Sequence, residues 1–116
     1  MHELSIAEEI LTTAKSHIHD GRKLRTVNVS LGPFSGVEKD ALLFCFDLAA
    51  KHFDLEGAAL VIEQLTASGI CSACGKPGEV DSMWSPCEYC GHTPMTVEGG
   101  RELRITALEI EEEDHV

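Results

Sequence analysis

Two cysteine pairs carry the densest chemistry in this chain: Cys71-Ser-Ala-Cys74-Gly75 and Cys87-Glu-Tyr-Cys90-Gly91, with twelve residues between them. Thiolates at i and i+3 converge on one point when the backbone turns tightly between them. The glycine after each second cysteine permits that turn, because it takes φ > 0 without a Cβ clash. Two such turns facing each other make a tetrahedral cage of four sulfurs. Zn2+ suits the cage, since it has no directional d-electron demand and favours four-cysteine structural sites. Redox dithiols or disulfides are the competing reading, and the doubling with matched glycines argues against them. A rubredoxin-type iron site is a third possibility, which colour would distinguish from zinc.

The opening residues hold a second possible site. Met1-His2-Glu3 offers an α-amine, an imidazole, a carboxylate and backbone amide nitrogens within one short segment. Nitrogen-rich tetragonal or square-planar surroundings favour Ni2+ or Cu2+ over Zn2+. On residue chemistry alone, a histidine at position 2 is more often an exposed side chain than a ligand.

Composition narrows the partners. The formal net charge of −11 argues against nucleic acid, because backbone affinity comes from Lys and Arg displacing counterions. The acidic stretch Glu109–Asp114 adds to that repulsion and reads as a solvated end. No apolar run is long enough to span a bilayer, and the start lacks a basic region followed by an apolar stretch, so no secretory signal is expected. Four thiolates on zinc belong in a reducing, cytoplasmic compartment. No serine, cysteine or carboxylate arrangement reads as a catalytic set, and a closed four-thiolate site leaves no open coordination position, so no enzyme is expected.

The elements that must position these residues are legible from periodicity. Leu4, Ala7, Leu11, Ala14 and Ile18, widened by Ile10, form an amphipathic stripe that ends near Asp20-Gly21. Its start is open between a Ser5/Glu8 capping box and residue 2 or 3. Val27, Val29 and Leu31 alternate with polar residues as a strand, ended by Gly32-Pro33. Ser35 and Glu38 have capping-box spacing, and a second helix follows with an expected apolar face of Val37, Ala41, Phe44, Cys45, Leu48 and Ala49. Cys45 on that face reads as a buried structural thiol. Ala58–Glu63 reads as a second strand. A last strand runs from about Glu102 to Glu109, with a change of parity between Ile105 and Leu108.

A right-handed crossover through the second helix makes the first two strands parallel. The second and last strands are then expected as antiparallel neighbours. The fold class is α+β: two helices on a small three-stranded mixed sheet, with an inserted four-cysteine zinc-ribbon-like module. Residues 1–65 and 99–116 form a discontinuous α/β domain, and 66–98 the zinc-binding domain. Trp84 and Pro86 are expected to pack over the module. His17, His19 and His52 are placed at helix ends, and His115 in the tail.

Taken together, these features resemble the HypA/HybF family of hydrogenase nickel-incorporation proteins. The matching residues are Met1-His2-Glu3-Leu4, Leu31-Gly32-Pro33-Phe34-Ser35, Phe44-Cys45-Phe46-Asp47 and the two Cys-x-x-Cys knuckles, so the likeness covers essentially the whole chain. The resemblance implies a nickel metallochaperone. It makes His2 the principal Ni2+ ligand through its side chain and backbone nitrogen, with the Met1 amine and the Glu3 backbone or carboxylate as co-ligands. Cys71, Cys74, Cys87 and Cys90 become structural zinc ligands. The implied partners are a HypB-type GTPase and the large subunit of [NiFe]-hydrogenase; some members also serve urease. The chain is expected as a monomer or homodimer. His92, two residues beyond Cys90, is the histidine nearest the knuckles, and closure by four cysteines alone is the expected zinc shell. A zinc-ribbon adaptor for protein contacts, with no nickel delivery, is the competing function.

Overall fold

The first helix forms where the apolar spacing puts it, with a shift at each end. The computed structural model describes residues 2–19, 21–82, 84–92 and 95–111; Met1, Asp20, His115 and the acidic tail past Glu111 lie outside the described residues. α1 (Glu3–Ser16) buries Ile6, Ala7, Ile10, Leu11 and Ala14. Leu4, expected on that stripe, is 47% exposed. The helix stops short of Ile18 because Ser16 Oγ and His17 Nδ1 both donate to the Thr13 carbonyl, at 2.6 and 2.8 Å. Such side chains compete with the helical ladder for its carbonyls.

β1 (Lys23–Leu31) buries Leu24, Val27, Val29 and Leu31 and is longer than the alternation alone suggested. α2 (Lys39–His52) begins after Glu38, not after Ser35. Glu38 is extended, and its carboxylate accepts from the amides of Asp40 and Ala41 at 3.2 and 2.6 Å. It thus satisfies two first-turn donors itself.

The apolar face of α2 also differs from the expected one. Leu42, Phe46, Ala49 and Ala50 are buried, Cys45 is half-buried, and Phe44 and Leu48 are 65% and 45% exposed. Apolar residues run nearly all the way round from Leu42 to Phe46, so periodicity could not choose the side; packing against α1 did.

β2 (Ala59–Gln64) and β6 (Leu103–Glu111) complete a sheet of order β2-β1-β6. The Leu65 amide donates to the carbonyl of Leu31, so the C-terminal ends of β1 and β2 lie together and these strands are parallel. The Gly32 amide donates to the Glu102 carbonyl, and Thr106 Oγ1 to the Asn28 carbonyl, so β6 runs antiparallel to β1. The sheet is mixed, as expected, but β6 pairs with β1 and not with β2. The central position goes to the strand with the most buried residues. Burial along β6 changes phase at Thr106-Ala107, where the sequence parity changes.

The segment between β2 and β6 contains a second sheet that periodicity did not reveal. β3 (Ala67–Ile70), β4 (Pro77–Val80) and β5 (Thr96–Glu98) pair in the order β4-β3-β5, both ladders antiparallel. A Cβ on Gly69 in the middle strand would run into the Val80 side chain, so this strand carries little apolar signal of its own.

Contacts divide the chain into two compact units. The first comprises residues 1–29, 37–63 and 104–116, and the second 30–36 and 64–103. The second therefore takes in more than 66–98. Phe34 packs against the cysteine-lined core, and its amide donates to the Gly100 carbonyl, which ties the Gly-Pro-Phe turn to this unit.

Candidate metal centre

The two knuckles are copies of one turn. In the first, the Gly75 amide donates to the Cys71 carbonyl at 2.8 Å and the Cys71 amide to the Lys76 carbonyl at 3.1 Å. In the second, the Gly91 amide donates to the Cys87 carbonyl at 2.8 Å and the Cys87 amide to the His92 carbonyl at 2.9 Å. Gly75 and Gly91 have φ of 75° and 76°, the left-handed conformation that the spacing required of them. Each turn also aims backbone donors at sulfur: Cys74 N–H at Cys71 Sγ, 3.5 Å, and Tyr89 N–H at Cys87 Sγ, 3.4 Å.

The four Sγ atoms lie within 4.8 Å of one another. Cys71 and Cys90 sulfurs are 3.5 Å apart, and those of Cys74 and Cys87 3.7 Å. Four sulfurs at the Zn–S distance on a tetrahedron are about 3.8 Å apart. The donor set and its spacing therefore fit zinc. Cys71 and Cys87 are buried and Cys74 and Cys90 exposed, so the cage is half sunk into its unit. Its buried members, with Val80 and Met95, are the core of that unit, and Phe34 and Val97 pack on it. The four-sulfur cluster and the hydrophobic core are one object.

Electrostatics show why the cage wants a cation. The hydrogen bond from the Cys74 backbone, outweighing burial, pulls the Cys71 thiol down to about 6. Cys87 is lowered chiefly by the backbone hydrogen bonds of Cys90 and Tyr89. Cys90 goes the other way, to about 12: its largest single influence, the His92 backbone hydrogen bond, lowers it, but Cys71, burial, Cys87 and Cys74 together prevail. Four sulfurs this close cannot all ionise until a cation sits among them.

His92 is exposed and not part of the sulfur cluster, though its carbonyl supports the second knuckle. Trp84, expected over the module, is 76% exposed. It sits in a loop closed on itself, where Ser85 Oγ accepts from the Asp81 and Ser82 amides and donates to Asp81 Oδ1. Motif reading missed the neighbours of the cluster: Phe34 and Met95, packed at its core, and the contact of the Lys76 ammonium with the Tyr89 ring. Lys76 had one signal: it is the only Lys or Arg between residues 66 and 98.

The opening segment is arranged quite differently. His2 is the N-cap of α1, extended at φ −89° and ψ 105°, with no hydrogen bond from its side chain to the helix. Its carbonyl accepts from the Ile6 amide at 3.2 Å, the first bond of the ladder. His2 is exposed and Glu3, in the first turn, half-buried; Met1 lies outside the described residues. The His2 and Glu3 amides belong to the helix start, where N–H groups have no intrahelical acceptor.

Comparison with known proteins places this architecture. The family model described as hydrogenase/urease nickel incorporation, metallochaperone, hypA matches residues 1–110. The hydrogenase maturation factor HypA of Psychromonas ingrahamii is 39% identical over 113 residues, covering 96% of this chain and 99% of that protein. The HypA of Geobacter metallireducens is 40% identical over 111 residues, covering 96% and 100%. The solution structure of the Ni metallochaperone HypA from Helicobacter pylori has the same fold, with a TM-score of 0.64 over 97% of this chain and 100% of that one at 22% identity. The chain belongs to the HypA family of hydrogenase nickel-incorporation metallochaperones.

Proposed function

We propose that this chain carries Ni2+ on Met1, His2 and Glu3 and passes it to the large subunit of [NiFe]-hydrogenase, while Cys71, Cys74, Cys87 and Cys90 keep a resident zinc. The observation that carries the reading is the state of His2. It is exposed at the N-cap of α1 with its imidazole uncommitted to the helix. The His2 and Glu3 nitrogens precede the intrahelical ladder, so they can turn to a metal without breaking an α-helical bond. The positive end of the helix dipole disfavours a cation there, and Glu3 in the first turn offsets it.

The two units divide the work, with nickel assigned to the α/β unit and zinc to the cysteine unit. Thiolates lock zinc in place, whereas an exposed segment lets its cargo go at little cost. Nickel leaves on acidification because protons compete for the same nitrogens. The protein acts as a carrier and not as an enzyme, in the cytoplasm, as a monomer or homodimer. Among the described residues no helix is long and apolar enough to cross a membrane.

A HypB-type GTPase is the proposed companion in delivery. Leu4, Leu48 and His52 line a groove of about 340 Å3 beside the first turn of α1. Leu4 and Leu48 are nearly half exposed there, which supports protein contact next to the cargo. Nickel titration of untagged, zinc-loaded protein tests the reading: one Ni2+ per chain is expected, and no binding at near-stoichiometric concentration would overturn it.

A further inference from the structure

The two knuckles are joined by more than their shared metal. Lys76, the residue after Gly75 of the first knuckle, holds its ammonium 4.6 Å from the centroid of the Tyr89 ring, which lies between the two cysteines of the second. We propose that Lys76 and Tyr89 form a clasp across the two knuckles that holds the thiolate cage closed and sets the rate at which zinc leaves it. The proposal rests on the zinc reading of the cage and not on nickel delivery.

Three observations support a role beyond casual surface contact. Tyr89 is 59% exposed and is not among the residues packed on the cysteine core, so burial does not fix its ring. The peptide nitrogen of the same residue donates to Cys87 Sγ at 3.4 Å. A cation that fixes the ring thus also fixes a sulfur's hydrogen-bond donor. The Lys76 carbonyl, in turn, accepts from the Cys71 amide at 3.1 Å, so both partners of the clasp hold a buried ligand through their backbones.

Charge gives the pairing its purpose. Zinc with four thiolates is a dianion. The surrounding stretch, 66–98, has Glu79, Asp81, Glu88 and Glu98 but Lys76 as its only Lys or Arg. The ring holds that one cation on the second knuckle. Opening the cage to a competing ligand requires the knuckles to part, and parting them breaks the clasp. Lys76 and Tyr89 are positioning residues: neither contributes a sulfur.

The test is zinc transfer from full-length, zinc-loaded protein to excess 4-(2-pyridylazo)resorcinol, followed by absorbance. Zinc content per chain is measured first. A cation–π pair at an exposed site is worth about a two- to five-fold change in such a rate. Lys76→Gln and Tyr89→Leu should each accelerate transfer by that factor, and the double variant should be no faster than either single one. Lys76→Arg and Tyr89→Phe, which keep a cation over an aromatic face, should transfer at the parental rate. Parental rates in Lys76→Gln and Tyr89→Leu would overturn the clasp. So would multiplicative effects in the double variant, or conservative variants as fast as the disruptive ones. A parent protein that binds no zinc would refute the cage and the clasp together, whereas normal zinc content with unchanged rates would refute the clasp alone.

Discussion

Removing zinc should unfold the cysteine unit and leave the helical unit folded. The cysteine unit, residues 30–36 and 64–103, has few large buried side chains beyond its cysteines: Leu31, Val80 and Met95, with Cys71 and Cys87 themselves in the core. At a typical 0.05–0.15 kcal/mol per residue, a segment of this size has about 2–7 kcal/mol of net stability with every interaction intact. Structural zinc in small modules contributes about 10–16 kcal/mol of apparent binding energy, which exceeds that. Without the ion the cage holds a proton in its place, because, against the His92 backbone hydrogen bond, hydrogen bonding with the neighbouring cysteines and burial push the Cys90 thiol up to about 12. The other unit has its own core: Leu11, Ala14, Leu24, Val27, Leu42 and Phe46 are each 1% exposed or less. The assay is amide hydrogen exchange before and after chelation, with zinc loss verified by elemental analysis. Amides of β3 and of the knuckle turns, including Cys71, Gly75, Cys87 and Gly91, should lose protection, while those of α1 and α2 keep it. Persisting protection in β3 after complete zinc loss would refute the reasoning, since the remaining apolar core would then suffice.

Three further outcomes are expected. Phe46→Ala should cost about 3–5 kcal/mol in urea denaturation, and Phe44→Ala within about 0.5 kcal/mol; the reverse order would mean that the buried face of α2 is wrongly placed. Zinc binding at pH 7.5 should release at least one proton per ion. Cys90 keeps its proton in the metal-free cage and must lose it to bind, so calorimetric heats should depend on buffer ionisation enthalpy, and zinc affinity should weaken more steeply as pH falls through about 6, where metal-free Cys71 also takes up a proton. Buffer-independent heats would contradict this. Cys74→Ser should lose zinc and the protection of 67–70 with it; one zinc per chain and unchanged thermal stability would count against the cage.

Much of this arrangement can be read from sequence, because its strongest signals are local. The Cys-x-x-Cys-Gly spacing dictates a turn with positive φ at Gly75 and Gly91, and both have it. The alternation of Val27, Val29 and Leu31 gives β1, and the parity change between Ile105 and Leu108 marks the phase change in β6. What stayed hidden depends on distant partners. Leu42 to Phe46 is apolar on every side, so only packing decides that Phe46 goes in and Phe44 stays out. β3 has too few large side chains to show a period, because Gly69 must make room for Val80. The family resemblance includes Leu31-Gly32-Pro33-Phe34, but nothing local in that segment says that Phe34 packs on a core formed much further along the chain by Cys71, Val80, Cys87 and Met95. Lys76 and Tyr89 meet only because the two knuckles face each other.

Separation of cargo from cage is most directly tested by metal content in a His2→Ala variant. Untagged parent and variant, loaded with zinc and titrated with Ni2+ in a calorimeter, should both keep one zinc per chain, and only the parent should take up nickel. Nickel bound with parental affinity by the variant would contradict the account, because the cargo would then sit somewhere other than the opening residues.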